Sequence, residues 1–243
     1  MERIAVIDFE TTGLSWQDDR IIEVGAVLYD WQTETPLRLY SQLVNPGRPL
    51  PAAIVALTGI TDELIATYGQ NQESALYALI QLIEQSDFVM AHNGSEFDKL
   101  FFDSWIAQVE NAGGSVGTGW ERPWLDTRCD IVFPEAVTTR NLKFLAAEHG
   151  FLNPFAHRAV FDVLTMLKVA RQYPLEAIVA RSKEPTLYIQ AVVSFDDKDK
   201  AKARGYFWCA PRKIWWRSIK QSDYVREQAE CGFRTSLLSQ KPE

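Results

Sequence analysis

The sequence predicts an α/β domain, a mixed sheet flanked by helices, followed by a small C-terminal α+β module. Three observations predict it. β-rich apolar runs crowd the first 45 residues, amphipathic helical segments alternate with a short buried strand after them, and composition and charge change near residue 182.

In chain order, "RIAVIDFE", "IIEVGAVLYD" and "LRLYSQLVN" read as three strands, the second and third separated by the turn-like "WQTETP". "ESALYALIQLIEQ" places Leu76, Leu79, Ile80 and Ile83 at three- and four-residue intervals, one face of a helix. "DFVMAHN" then reads as a short buried strand, and "SEFDKLFFDSWIAQVENAGG" as a helix ending at paired glycines. "NLKFLAAEHG" and "HRAVFDVLTMLKVARQYP" predict two more helices, the latter stopped by Pro174. "ARSKEPTLY" turns polar and proline-containing, which sets a boundary near residues 181–186, between a domain of residues 1–181 and a module of residues 187–243. The module holds a strand, "LYIQAVVSF", a charged helical piece, "DDKDKAKARG", and two aromatic runs, "YFWCA" and "KIWWRSI".

At 243 residues and 47% hydrophobic content, the chain has the material for one substantial core and a smaller one. No apolar stretch approaches the roughly 20 residues that span a bilayer, and "MERIAVIDFE" runs straight into a strand, so the expectation is a cytoplasmic protein with no membrane partner. Cys129, Cys209 and Cys231 are widely spaced with no CxxC pair, which argues against a disulfide framework or a zinc site. The net charge of −7 argues against a protein that coats nucleic acid by counterion release alone. That average hides an asymmetry: residues 183–243 carry 12 Lys and Arg against 8 Asp and Glu, whereas residues 1–182 carry 13 against 24.

Side chains alternate across a strand, so Asp8 and Glu10 project to one face while Ile7 and Phe9 point to the other. Carboxylates withdrawn from water need compensation. Thr11, Thr12 and Gly13 end the strand pattern and leave the pair at its carboxyl end, where ligands bind in α/β sheets. Asp98 stands at a strand-to-helix junction, and Asp162 lies among apolar residues of a helix. Four oxygen donors without cysteine predict a hard cation, Mg²⁺ or Mn²⁺. His157, five residues before Asp162, is off that residue's helical face by about 140°, which predicts a place at the helix entry. A histidine of ordinary pKa, about 6.5, takes a proton from water near neutral pH.

"DFETTGL", "HNGSEFD" and "HRAVFD", in this order, resemble the three motifs of the DnaQ-like exonucleases of the DEDDh type. "RIIEVGAV", "LTGITDELI" and "LDTRCD" are similar to the family's connecting segments, and the likeness covers roughly residues 4 to 173. The resemblance implies a ribonuclease H-like fold and 3′-to-5′ hydrolysis of a nucleic-acid end to nucleoside 5′-monophosphates. It further implies that Asp8, Glu10, Asp98 and Asp162 hold two divalent ions, that His157 is the general base, and that Thr11, Thr12 and Leu14 line the terminal-nucleotide pocket. DNA is the expected substrate. The alternatives are an RNA 3′-to-5′ exonuclease and a catalytically silent binding or adaptor protein, and the presence of all five catalytic identities weighs against the latter. His92, His149, Asp103, Asp126 and Asp130 have ordinary turn, helix-terminal or capping explanations and stay outside the metal set.

In the module, Lys198, Lys200, Lys202, Arg204, Arg212 and Lys213 interleave with Tyr206, Phe207, Trp208, Trp215 and Trp216. Aromatics that stack on bases beside cations that meet phosphates describe a single-strand binder. The same tryptophans also serve as the core of a small module, and a protein partner is a third reading. No interface signature sets an oligomeric state.

Overall fold

The computed structural model describes residues 2–242, which fall into two compact units, one ending at Val179 and the other beginning at Ala180. The first contains β1 (Arg3–Thr11), β2 (Ile21–Asp30), β3 (Thr35–Leu43), α1 (Ala52–Thr58), α2 (Asp62–Tyr68) and α3 (Gln72–Ile83). There follow β4 (Phe88–Ala91), α4 (Asp98–Asn111), β5 (Trp124–Asp126), α5 (Leu142–Glu148) and α6 (Ala159–Ala170), and α7 (Leu175–Ser182) runs across the division between the units.

The five strands form one mixed sheet in the order β3-β2-β1-β4-β5. β1 pairs antiparallel with β2 and parallel with β4, so it lies at the centre. Its alternation sorts two cores. Ala5, Ile7 and Phe9 face a cluster with Leu76, Leu79, Phe101, Phe102 and Trp105 from α3 and α4. Ile4 and Val6 face Val163, Met166 and Leu167 of α6. Asp8 and Glu10 continue the second of these faces, so the carboxylates stand on the α6 side at the strand's end.

Two helical boundaries differ from the sequence pattern, each for a local reason. α4 starts at Asp98 rather than near Ser95, because the amides of Asn93 and Ser95 bond the Asp126 carboxylate at 2.9 and 3.2 Å and hold residues 93–97 in a turn. α6 ends at Ala170, four residues short of Pro174, where the Gln172 and Tyr173 amides close a turn on the Val169 and Ala170 carbonyls. Pro174 instead opens the next helix: Ala177 and Ile178 donate to its carbonyl, and α7 follows.

The second unit contains β6 (Thr186–Val192), α8 (Lys198–Ala203), β7 (Phe207–Cys209), β8 (Ile214–Lys220), α9 (Gln221–Glu230) and β9 (Arg234–Leu238). Its antiparallel sheet runs β7-β8-β6-β9. Ile189, Ala191, Ala201, Tyr206 and Ile219 form its core, with Trp215, Tyr224 and Phe233 packed against them. Glu227, buried, accepts from Arg204 and from the Tyr206 hydroxyl. The sequence pattern does not announce α9, since "QSDYVREQAE" has no apolar stripe and buries only Glu227. Among the described residues, no helix is long and apolar enough to cross a membrane.

Candidate active site

The site is built where β1 ends. Its pairing with β2 shifts register between Glu10 and Thr11, so that Thr11 stands across from Ile21. Opposite the two carboxylates, β2 presents Glu23 across from Glu10 and Gly25 across from Asp8. Glycine inside a strand marks close approach by another backbone. A Cβ on Gly25 would lie 2.3 Å from the Ala159 carbonyl carbon and 2.4 Å from the Val160 nitrogen, so the missing side chain lets the start of α6 rest directly on β2.

Glu23 fixes that contact. Only 1% exposed, it accepts from the Ala159 amide at 3.0 Å, from Arg158 Nε at 3.1 and 3.2 Å and from an Arg158 terminal nitrogen at 2.9 Å. The first turn of α6 then carries Asp162 to the end of β1. His157 precedes this helix in the left-handed conformation, φ 64°, and its amide donates to Asp162 Oδ2 at 2.9 Å, while Asn153 Nδ2 donates to Oδ1 at 2.6 Å. Asp98, buried at the start of α4, accepts the Phe9 amide at 3.2 Å, which ties α4 to β1 between Asp8 and Glu10.

The structure therefore brings Asp8, Glu10, Asp98, Asp162 and His157 together. Donor atoms of Glu10, His157 and Asp162 lie within 4.8 Å of one another. Among the described residues, no lysine or arginine forms an ion pair with any of the four carboxylates. Their proton affinities rise accordingly. Burial lifts Asp8 well above the ordinary carboxylate range, with Asp98, Asp162, Glu10 and Glu23 adding to it. Burial and then Asp162 push Glu10 to about 8, partly offset by Arg158. Burial and then Asp126 push Asp98 to about 8. Asp162 is raised by burial, against the hydrogen bonds from His157 and Asn153. Four carboxylates, Asp98 buried and the other three half-buried, that resist ionisation by themselves fit a divalent cation, whose charge reverses that penalty.

Thr11, Thr12 and Leu14 divide. The Thr11 hydroxyl donates to the Gly13 carbonyl at 2.5 Å, and the Thr12 hydroxyl is engaged by Asp19 and Arg48 at 2.8 and 2.6 Å, so both shape the loop from within. Leu14 is 86% exposed at the loop's tip. His92 bridges Thr127 and the Arg140 carbonyl, and His149 bridges the Leu145 carbonyl and the Tyr173 hydroxyl. Asp126 caps residues 93–95, and Asp103 pairs with Lys99. Sequence reasoning passed over Glu23, Gly25 and Arg158, although a glycine inside an apolar strand was a signal for the close contact.

Residues 5–170 match the family model RNase_T, described as Exonuclease. The DNA polymerase III PolC-type of Thermotoga petrophila is 34% identical over 158 residues, 65% of this chain and 11% of that protein. That of Bacillus subtilis is 31% identical over 185 residues, 70% of this chain and 12% of the relative. The chain spans about a tenth of the length of these curated relatives. A solved structure of exonuclease I superimposes with a TM-score of 0.68 at 13% identity, covering 96% of this chain and 68% of that one. The zinc-bound E. coli ExoI–ssDNA complex gives 0.63 at 15% identity, covering 79% and 48%. These likenesses establish the ribonuclease H-like arrangement of the mixed sheet.

Proposed function

The chain belongs to the RNase_T exonuclease family, and from that premise we propose that it is a divalent-metal-dependent 3′-to-5′ exonuclease of DNA. The observation that carries this reading is the convergence of four mutually repelling carboxylates and His157 at the end of β1. DNA is favoured because the relatives are DNA polymerases and a structural neighbour holds single-stranded DNA.

Asp8, Glu10, Asp98 and Asp162 would hold two Mg²⁺ or Mn²⁺ ions. When bound, such ions neutralise charge at the scissile phosphate and activate the attacking water. His157 accepts the water's proton at a ring nitrogen, and its exposed position lets that proton pass to solvent. The hydrogen bond from the His157 backbone amide to Asp162 keeps this residue beside the carboxylates. The water oxygen bonds to phosphorus, the P–O3′ bond breaks, and the departing 3′ oxygen of the shortened strand takes up a proton. The product is a nucleoside 5′-monophosphate. Leu14, exposed at the loop tip, meets the terminal base, while Thr11 and Thr12 hold the loop.

The test is a time course with Mg²⁺ on matched 3′-labelled and 5′-labelled single-stranded DNA and RNA, with Asp8→Ala alongside. Immediate release of the 3′ label as mononucleotide, stepwise shortening of the 5′-labelled strand and a silent variant are expected. Faster turnover of RNA would reassign the substrate. Intact substrates with folded protein would overturn the nuclease reading.

A further inference from the structure

The C-terminal unit divides its aromatics between two faces of one sheet. Tyr206 and Trp215 belong to the core beneath α8 and α9. On the opposite face, register sets Phe207 on β7 directly across from Trp216 on β8. Strand alternation puts Tyr188 on β6 on the same face, diagonal to Trp216, whose own partner on β6 is Gln190. The ring centroids of Phe207 and Trp216 are 6.4 Å apart, and those of Trp216 and Tyr188 are 6.1 Å apart. Phe207 is 55% exposed and the other two are half-buried. Among the described residues, no helix of this unit packs on that face.

Charge supports an anionic, base-bearing occupant. The four strands contain no Asp or Glu. Val192 pairs with Arg234, and Ala191 with Trp215, so Arg234 and the β7–β8 turn bearing Arg212 and Lys213 lie at the same end of the sheet. All three cations are exposed, and among the described residues none forms an ion pair. A row of rings across a four-stranded sheet with cations at its end matches the physics of base stacking combined with backbone contact.

We propose that this open face is a stacking platform for single-stranded nucleic acid, with Phe207, Trp216 and Tyr188 receiving bases and Arg212, Lys213 and Arg234 meeting phosphates. The proposal stands apart from the catalytic reading, because it is tested by binding with the metal removed.

The experiment measures fluorescence anisotropy of a labelled oligothymidylate of about 20 nucleotides with the full chain in EDTA. The salt range is about 50 to 200 mM NaCl. Phe207→Leu and Trp216→Leu, which keep an apolar strand residue and remove the ring, should each weaken binding about tenfold. Trp216→Phe should restore most of the affinity. Replacing Arg212, Lys213 and Arg234 together by Ala should reduce the slope of log affinity against log salt by about 2. Wild-type protein should bind an abasic strand of equal length at least tenfold more weakly. Unchanged affinity in the leucine variants with wild-type circular dichroism, or equal affinity for the abasic strand, overturns the platform. If the leucine variants do not fold, the triple alanine variant of the exposed Arg212, Lys213 and Arg234 decides, and an unchanged salt slope overturns the platform.

Discussion

His157 occupies a left-handed backbone position, φ 64°, one residue before Arg158 and two before the start of α6. That conformation is uncommon for a residue with a Cβ and is held here by the hydrogen bond that the His157 amide donates to Asp162. His157→Ala should lower kcat by roughly 10²- to 10⁴-fold, the scale of a positioned base, with little change in KM. A change confined to KM would reassign the residue to substrate binding. Glu23 makes a complementary prediction. Its carboxylate satisfies the buried Ala159 amide and clamps Arg158, so Glu23→Ala should destabilise the fold by about 1–3 kcal/mol, the usual penalty of an orphaned buried donor. Denaturant unfolding measures this, and activity should fall with it because Glu23 holds the helix that carries Asp162.

At the scale of elements, the site depends on how closely α6 rests on β2. Gly25 sets that distance, with 2.3 Å between a built Cβ and the Ala159 backbone. Gly25→Ala should therefore push the helix start outward, costing about 1–3 kcal/mol as overpacking does. Metal affinity, read by Mg²⁺ titration of the thermal midpoint, should weaken because Asp162 and His157 move with the helix while Asp8 and Glu10 stay on the strand. Retention of wild-type Mg²⁺ response would show that α6 tolerates the displacement. α4 makes the second junction: Asp126 holds residues 93–95 and thereby sets where the helix carrying Asp98 begins.

For the whole molecule, the cluster makes stability depend on pH and on cation. Glu10 and Asp98 are pushed to about 8 in the folded protein, against about 4 in an unfolded chain. Between those values the folded state holds more protons than the unfolded one. The contribution is thus fully present below about pH 4 and is lost as pH rises through about 8. In EDTA the Tm should fall between about pH 5.5 and 8.5, and saturating Mg²⁺ should flatten that decline by binding the ionised cluster. A Tm in EDTA that is level or rises over this window would contradict the packing of the carboxylates. Charge is also distributed unevenly over the chain, with the excess of acid before residue 183 and of base after it.

The sequence by itself determined the central strand, its face of paired carboxylates, the order of the three motifs and the aromatic, basic character of the C-terminal unit. These are local properties, written in alternation, spacing and composition. Tertiary structure alone decided which strand opposes the carboxylates, because the facing of Glu10 by Glu23 is a matter of register between distant segments. It also decided that Trp215 enters a core while Phe207 and Trp216 remain on an open face. Adjacent tryptophans read alike along the chain; only the pairing of β8 with its neighbours sends one inward and the other outward, since pleating assigns successive side chains to opposite faces.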